Sequence, residues 1–174
     1  MKKFLLLVSI AVLLSGCSSG SSSLSPGKVV GCQDINIVSS KAPPLECLAG
    51  GAGISVDAIR GPALINVWGT WCYPCKKELP LLSEFMSKYG DQVQLIGIAV
   101  EEKSQSSVRK FVKTHGITWP ILYDVKGSTR PLFGMGVPVT WFIDSTGAVV
   151  HKHIGPFASA ADIEKASKKY LGTR

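Results

Sequence analysis

The chain has 174 residues, 45% of them hydrophobic and 18% charged, with mean hydropathy +0.24 and a formal net charge of +7. It is too apolar to be disordered and too short for two ordinary domains, so a single compact domain is expected. Lys and Arg are scattered among acids and form no patch, which argues against nucleic-acid binding.

Lys2 and Lys3 precede an apolar run from Phe4 to Leu14, followed by Ser15, Gly16 and Cys17. That run is too short to span a bilayer as a mature helix. A basic start, a short apolar stretch and a small-residue exit describe an export signal and exclude cytosolic and nuclear roles. Leu14-Ser15-Gly16-Cys17 also resembles the lipobox of bacterial lipoproteins, in which the cysteine is acylated and becomes the new N-terminus. The alternative is an ordinary signal peptide cleaved nearby, leaving Cys17 as a stray thiol. On the lipobox reading, residues 1–16 are removed, Lys2 and Lys3 go with them, and the charge falls from +7 to +5. The protein then sits on the extracytoplasmic face of a bacterial membrane, lipid-anchored through Cys17. Residues 17–28, rich in Ser and Gly, read as a flexible tether to a domain spanning 29–174.

Residues 29–62 carry many Gly and Pro, with β-branched stretches at Ile35–Val38 and Ile54–Val56. Short strands, turns and one helical turn at Asp57–Arg60 are predicted. Ala63–Trp68 is apolar almost throughout and reads as a strand buried on both faces, a kind found in sheets covered by helices. Pro74–Tyr89 reads as a helix, with Leu79, Leu82, Phe85, Met86 and Tyr89 at helical spacing and Gly90 after its end. A strand at Val93–Val100, a helix at Ser104–His115 and a short strand at Ile121–Tyr123 follow, then a loop around Gly127–Gly136. Pro138 opens a strand at Val139–Ile143, Asp144–Gly147 turns, Ala148–His153 returns, and a last helix covers Ala158–Tyr170. This order predicts an α/β sandwich with a mixed central sheet and an N-terminal strand extension.

Five cysteines in an exported chain should be mostly paired, and an odd number demands an explanation. Lipidation of Cys17 supplies one. Cys72 and Cys75 form a C-x-x-C and Cys32 and Cys47 remain, so two disulfides are the simplest partition, with Cys32–Cys47 structural. Cys47 as a third redox thiol is the alternative. Zinc needs two such knuckles or a paired His motif, and this chain has one knuckle and three scattered histidines. His151 and His153 share a strand face without carboxylate neighbours and read as surface residues, so no metal is assigned.

Ile65-Asn66-Val67-Trp68-Gly69-Thr70-Trp71-Cys72-Tyr73-Pro74-Cys75 resembles the active-site stretch of the thioredoxin superfamily, an apolar strand followed by W-x-x-W-C-x-P-C. Pro80 falls where thioredoxins kink this helix, and Gly136-Val137-Pro138-Val139-Thr140 looks like their cis-proline segment. The resemblance covers residues 45–172 and is closest to the TlpA/ResA/DsbE-like extracytoplasmic branch. It implies a thioredoxin-like three-layer α/β/α sandwich and a thiol-disulfide oxidoreductase. Such a protein uses no prosthetic cofactor, acts on cysteines of exported proteins in cytochrome c maturation or oxidative folding, and exchanges electrons with a membrane redox partner. Cytosolic thioredoxin has a buried Asp where this chain has Asn66, so another acid must accept protons. The resemblance points to the end of the next strand, Glu101 or Glu102, and Glu102 is favoured.

Only a thiolate attacks a disulfide sulfur, and a helix N-terminus favours one at Cys72. Cys75, three residues on, reaches back as resolver. Pro74 fits the first helical turn, where a missing N–H costs little. Trp71 is expected as a wall of the site and Trp68 as core. Tyr73, Val137 and Pro138 are expected to meet substrate, Val137 by pairing with an extended strand. A non-catalytic binding lipoprotein, for instance a copper chaperone using Cys72 and Cys75, is the alternative of a different class.

Overall fold

The computed structural model describes residues 27–134 and 136–174; the export segment, Cys17 and residues 18–26 of the tether lie outside them. Among the described residues, strands β1 (Glu46–Cys47), β2 (Ala63–Trp68), β3 (Gln94–Val100), β4 (Ile121–Asp124), β5 (Val139–Ile143) and β6 (Val149–Ile154) form one sheet, ordered β1-β4-β3-β2-β5-β6. β2 runs parallel to β3 and antiparallel to β5, and β3 runs parallel to β4. Every residue of β2 is buried, because it lies mid-sheet with both faces covered.

The helices are α1 (Tyr73–Tyr89), α2 (Gln105–Thr114), α3 (Arg130–Phe133) and α4 (Ala160–Leu171). The steps β2 to β3 to β4 move the same way across the sheet, so right-handed crossovers place α1 and α2 on one face. There Leu64 and Trp68 of β2 pack against Leu79 and Phe85 of α1, Val112 of α2 and Ile163 of α4. On the other face Ile65 and Val67 meet Cys32, Ile35 and Ile59 of the N-terminal segment and Phe133 of α3. The third layer is therefore largely irregular chain with one short helix.

Hydrogen-bonded caps explain where two helices start. The Ser104 hydroxyl accepts from the Ser107 N–H at 3.2 Å, and the Ser159 hydroxyl accepts from the Asp162 N–H at 3.2 Å. The second cap starts α4 at Ala160, two residues later than the apolar pattern suggests. Residues 29–62 are more irregular than expected. The stretches at Ile35–Val38 and Ile54–Val56 contribute isolated bridges, Ile37 with Ile59 and Leu45 with Ile54, and the helical turn is a 3-10 turn at Val56–Ala58. The strand that does form there, β1, pairs antiparallel with β4 through Glu46–Tyr123 and Cys47–Leu122. α3 occupies part of the span read as a loop.

Cys32 is bonded to Cys47 beneath the sheet, with both residues buried. The bridge fastens the N-terminal segment to the two-residue edge strand β1. Gly27, inside the span read as tether, is packed on the domain: its N–H donates to the Lys113 carbonyl at 2.8 Å. Replacing Cys32 and Cys47 together by alanine should lower global stability by about 3 kcal/mol, since the cross-link restricts the unfolded chain. Urea unfolding of oxidised protein measures this as a lower midpoint, with the Cys72–Cys75 bond left intact.

Candidate active site

β2 delivers the chain through Gly69, Thr70 and Trp71 to Cys72, the N-cap of α1. A Cβ at Gly69 would lie 2.6 Å from the Trp71 indole nitrogen, so a larger residue there would displace the half-exposed Trp71 ring. The Cys72 N–H donates to the Gly69 carbonyl at 3.1 Å, closing the turn. Cys72 and Cys75 are disulfide-bonded, and the Cys75 N–H donates to Cys72 Sγ at 3.2 Å. Both cysteines are well covered, Cys72 4% and Cys75 2% exposed. Cys72 is thus less open than a tryptophan shield over an exposed sulfur would suggest. The Val137–Pro138 peptide is cis, and the Val137 carbonyl oxygen lies 3.7 Å from Cys72 Sγ, covering that sulfur.

Around this pair the surface is apolar. Trp71 is 53% exposed and Tyr73 65%, and the Trp71 indole N–H donates to the Val100 carbonyl at 3.4 Å. Trp68 is fully interior. Pro74 is exposed in the first turn of α1, while Pro138 is buried. A small cleft opens beside Trp71 and Val137, walled by Val100, Phe133 and the Glu101–Arg130 ion pair. Its floor includes Asp124; burial raises the Asp124 pKa, but hydrogen bonds from Thr129 and Ser128 outweigh this and leave it below the usual value.

The structure places Glu102 beside the loop that enters α1. Both its carboxylate oxygens are occupied by Thr70, one accepting the Thr70 N–H and the other the hydroxyl at 2.7 Å. Its neighbour Glu101 turns away at φ 55° to meet Arg130. Neither acid has a hydrogen bond to the cysteine pair.

The acid that does lie inside is Glu78, three residues after Cys75 on the buried face of α1 and 1% exposed. Positions three apart on a helix are surface neighbours, so Glu78 and Cys75 share one face of α1. Its Oε2 accepts from Asn66 Nδ2 at 3.0 Å and its Oε1 accepts the Phe157 N–H at 3.0 Å. Asn66 also donates to the Thr140 hydroxyl at 3.0 Å. Burial pushes the Glu78 carboxyl above its usual value, offset in part by the Phe157 and Asn66 hydrogen bonds. Reading the sequence for an acid near the strand end overlooks it. The available signal was a glutamate set among Cys75, Leu79 and Leu82 on the apolar stripe of the helix. His151 and His153, read as surface residues, are half-buried and stack on Tyr170 and Phe157.

The AhpC/TSA family matches residues 38–152, more than half of the chain. The chain belongs to this family, among its thioredoxin-like thiol-disulfide oxidoreductases. Residues 1–18 match the prokaryotic membrane lipoprotein lipid attachment site, so the protein is of the exported, membrane-anchored kind. The chain is 34% identical over 113 residues to the thioredoxin-like protein YneN of Bacillus subtilis (strain 168), covering 64% of this chain and 66% of YneN. It is 30% identical over 158 residues to a thiol-disulfide oxidoreductase ResA of Bacillus cereus, covering 89% of this chain and 91% of ResA. The crystal structure of StoA from Bacillus subtilis superposes with a TM-score of 0.59 at 27% identity, covering 71% of this chain and 93% of StoA.

A carboxyl with a raised pKa gives this family member stability that is complete below the unfolded value, 4.5, and lost as pH climbs through the folded value. Stability relative to Glu78→Gln should therefore fall from weakly acid pH upward and then level off. Urea unfolding of the oxidised proteins between about pH 4 and about pH 9 checks this; parallel curves would contradict it.

Proposed function

We propose that the protein is a lipid-anchored, extracytoplasmic thiol-disulfide oxidoreductase that exchanges disulfides with cysteine-containing exported proteins. The observation that carries this reading is the placement of Cys72. It caps a 17-residue helix, receives the Cys75 N–H, and lies against the cis-proline turn at Val137. The helix dipole and that N–H both favour a thiolate at Cys72, the species that attacks a substrate disulfide. Cys75, deeper in the same turn, resolves the resulting mixed disulfide.

Resolution requires Cys75 to lose its proton, and Glu78 is the buried acid beside it. The proton-accepting role therefore goes to Glu78, and Glu102 holds Thr70 and the entrance to Cys72 in place. Exposed Trp71, Tyr73 and Pro74 form one side of the docking surface. Val137, backed by the buried Pro138, forms the other, where an extended substrate segment adds along the Val137 backbone. Acylation of Cys17 anchors the chain to the membrane, and a membrane redox partner renews the cysteine pair. The lineage favours cytochrome c maturation or oxidative folding as the setting.

Cys72→Ser should abolish reduction of insulin by dithiothreitol, whereas Cys75→Ser should accumulate mixed disulfides with exported proteins, seen on non-reducing gels. Trapping by Cys72→Ser instead would reverse the roles. The reduction potential fixes the direction of electron flow: a value near about −270 mV marks a reductase, and one near about −120 mV an oxidase.

A further inference from the structure

Asn66, Thr140 and His153 stand side by side across the sheet, Asn66 paired with Thr140 between β2 and β5 and Thr140 with His153 between β5 and β6. Paired residues face the same side of a sheet, here the side where Asn66 reaches Glu78 of α1. The His153 ring lies flat on the Phe157 ring, with centroids 3.8 Å apart and planes at 9°. Phe157 also donates its backbone N–H to Glu78. Glu78 and His153 thus meet the same residue, one through its backbone and one through its ring.

Two further observations single out His153. Its Nε2 is buried and has no hydrogen-bond partner among the described residues, while the residue as a whole is half-buried. A buried ring nitrogen left unpaired is costly and calls for an explanation. Glu78, in turn, is 1% exposed, so it needs an intermediary to exchange protons with bulk water.

We infer that His153 relays protons between the buried Glu78 carboxyl and solvent, acting through Glu78 rather than on the sulfurs. This rests on Glu78 serving Cys75 as proposed above. Two residues before it on β6 is His151, which stacks on Tyr170 of α4. His151 is held below the usual histidine value, first by burial and then by the charges of His153 and Lys169.

When the enzyme reduces a substrate disulfide, the mixed disulfide between Cys72 and substrate is resolved by Cys75. The Cys75 thiol gives its proton to the Glu78 carboxylate, and its sulfur electron pair forms the Cys72–Cys75 bond. The bond from Cys72 to substrate breaks, its electron pair leaves on the substrate sulfur, and that sulfur takes a proton from water. Glu78 then passes its proton to the His153 imidazole, which releases it to solvent. Two electrons move from the enzyme dithiol to the substrate disulfide, and no other reductant is required.

The test uses the full-length lipoprotein in detergent micelles, with insulin as the disulfide substrate, and follows the resolving step against pH and added imidazole. His153→Phe keeps a ring on Phe157 and removes the nitrogen. It should slow resolution about tenfold or more, flatten the pH profile around neutrality and regain speed with imidazole, while the reduction potential stays unchanged. Wild-type rate and profile, or a slowed rate indifferent to imidazole, would overturn the relay. Should His153→Phe fail to fold, His153→Gln carries the same test. Glu78→Gln separates the two readings. If it leaves the profile unchanged, the Glu78 assignment fails. If it flattens the profile and the His153 variant does not, the relay alone fails.

Discussion

Glu78 sits where three parts of the chain converge: α1 carries it, β2 supplies Asn66, and the segment before α4 supplies the Phe157 N–H. Burying a carboxyl is costly unless its oxygens are met, and here each oxygen has one donor. That requirement ties the active-site helix to the centre of the sheet and to the C-terminal helix. Asn66 also holds Thr140 on β5, two residues past Pro138. The helix that carries the cysteines and the strand that begins beside the cis-proline are therefore tied to one polar centre, which keeps Cys72 and Val137 in register.

The regular half of the fold was legible because its signals are local. Ala63–Trp68 has an apolar run, α1 has a stripe at helical spacing, and the tryptophans, C-x-x-C and Val137-Pro138 follow in a recognisable order. The irregular half was not, because tertiary pairing decides it. Glu46–Cys47 becomes a strand only because β4 offers an open edge, and nothing in its composition announces that. The four residues of α3 have no amphipathic run to read.

The sequence brings Cys72, Cys75 and Trp71 together as the structure does, whereas the buried Glu78 beside them on α1 was not anticipated. Glu102 stands at the strand end as anticipated, yet Thr70 takes both its oxygens, a pairing between residues 32 apart in sequence. Glu78 has the helical spacing that marks a buried position but a polarity that argues against one. Such local contradictions gather at functional sites, where a sequence departs from the rules it follows elsewhere. The histidines of β6 are a similar case, since their burial depends on aromatic partners at Phe157 and Tyr170 that strand alternation does not reveal.

The bond from Gly27 to Lys113 has a bearing on orientation. α2 starts close to the site, where Glu102 meets Thr70 just before the Ser104 cap, and Lys113 lies in its last turn, about 12 Å away along the axis. The chain thus enters the domain at the pole opposite Cys72. A pull applied to the chain at Gly27 would therefore reach the domain at the end of α2 away from Thr70 and Cys72.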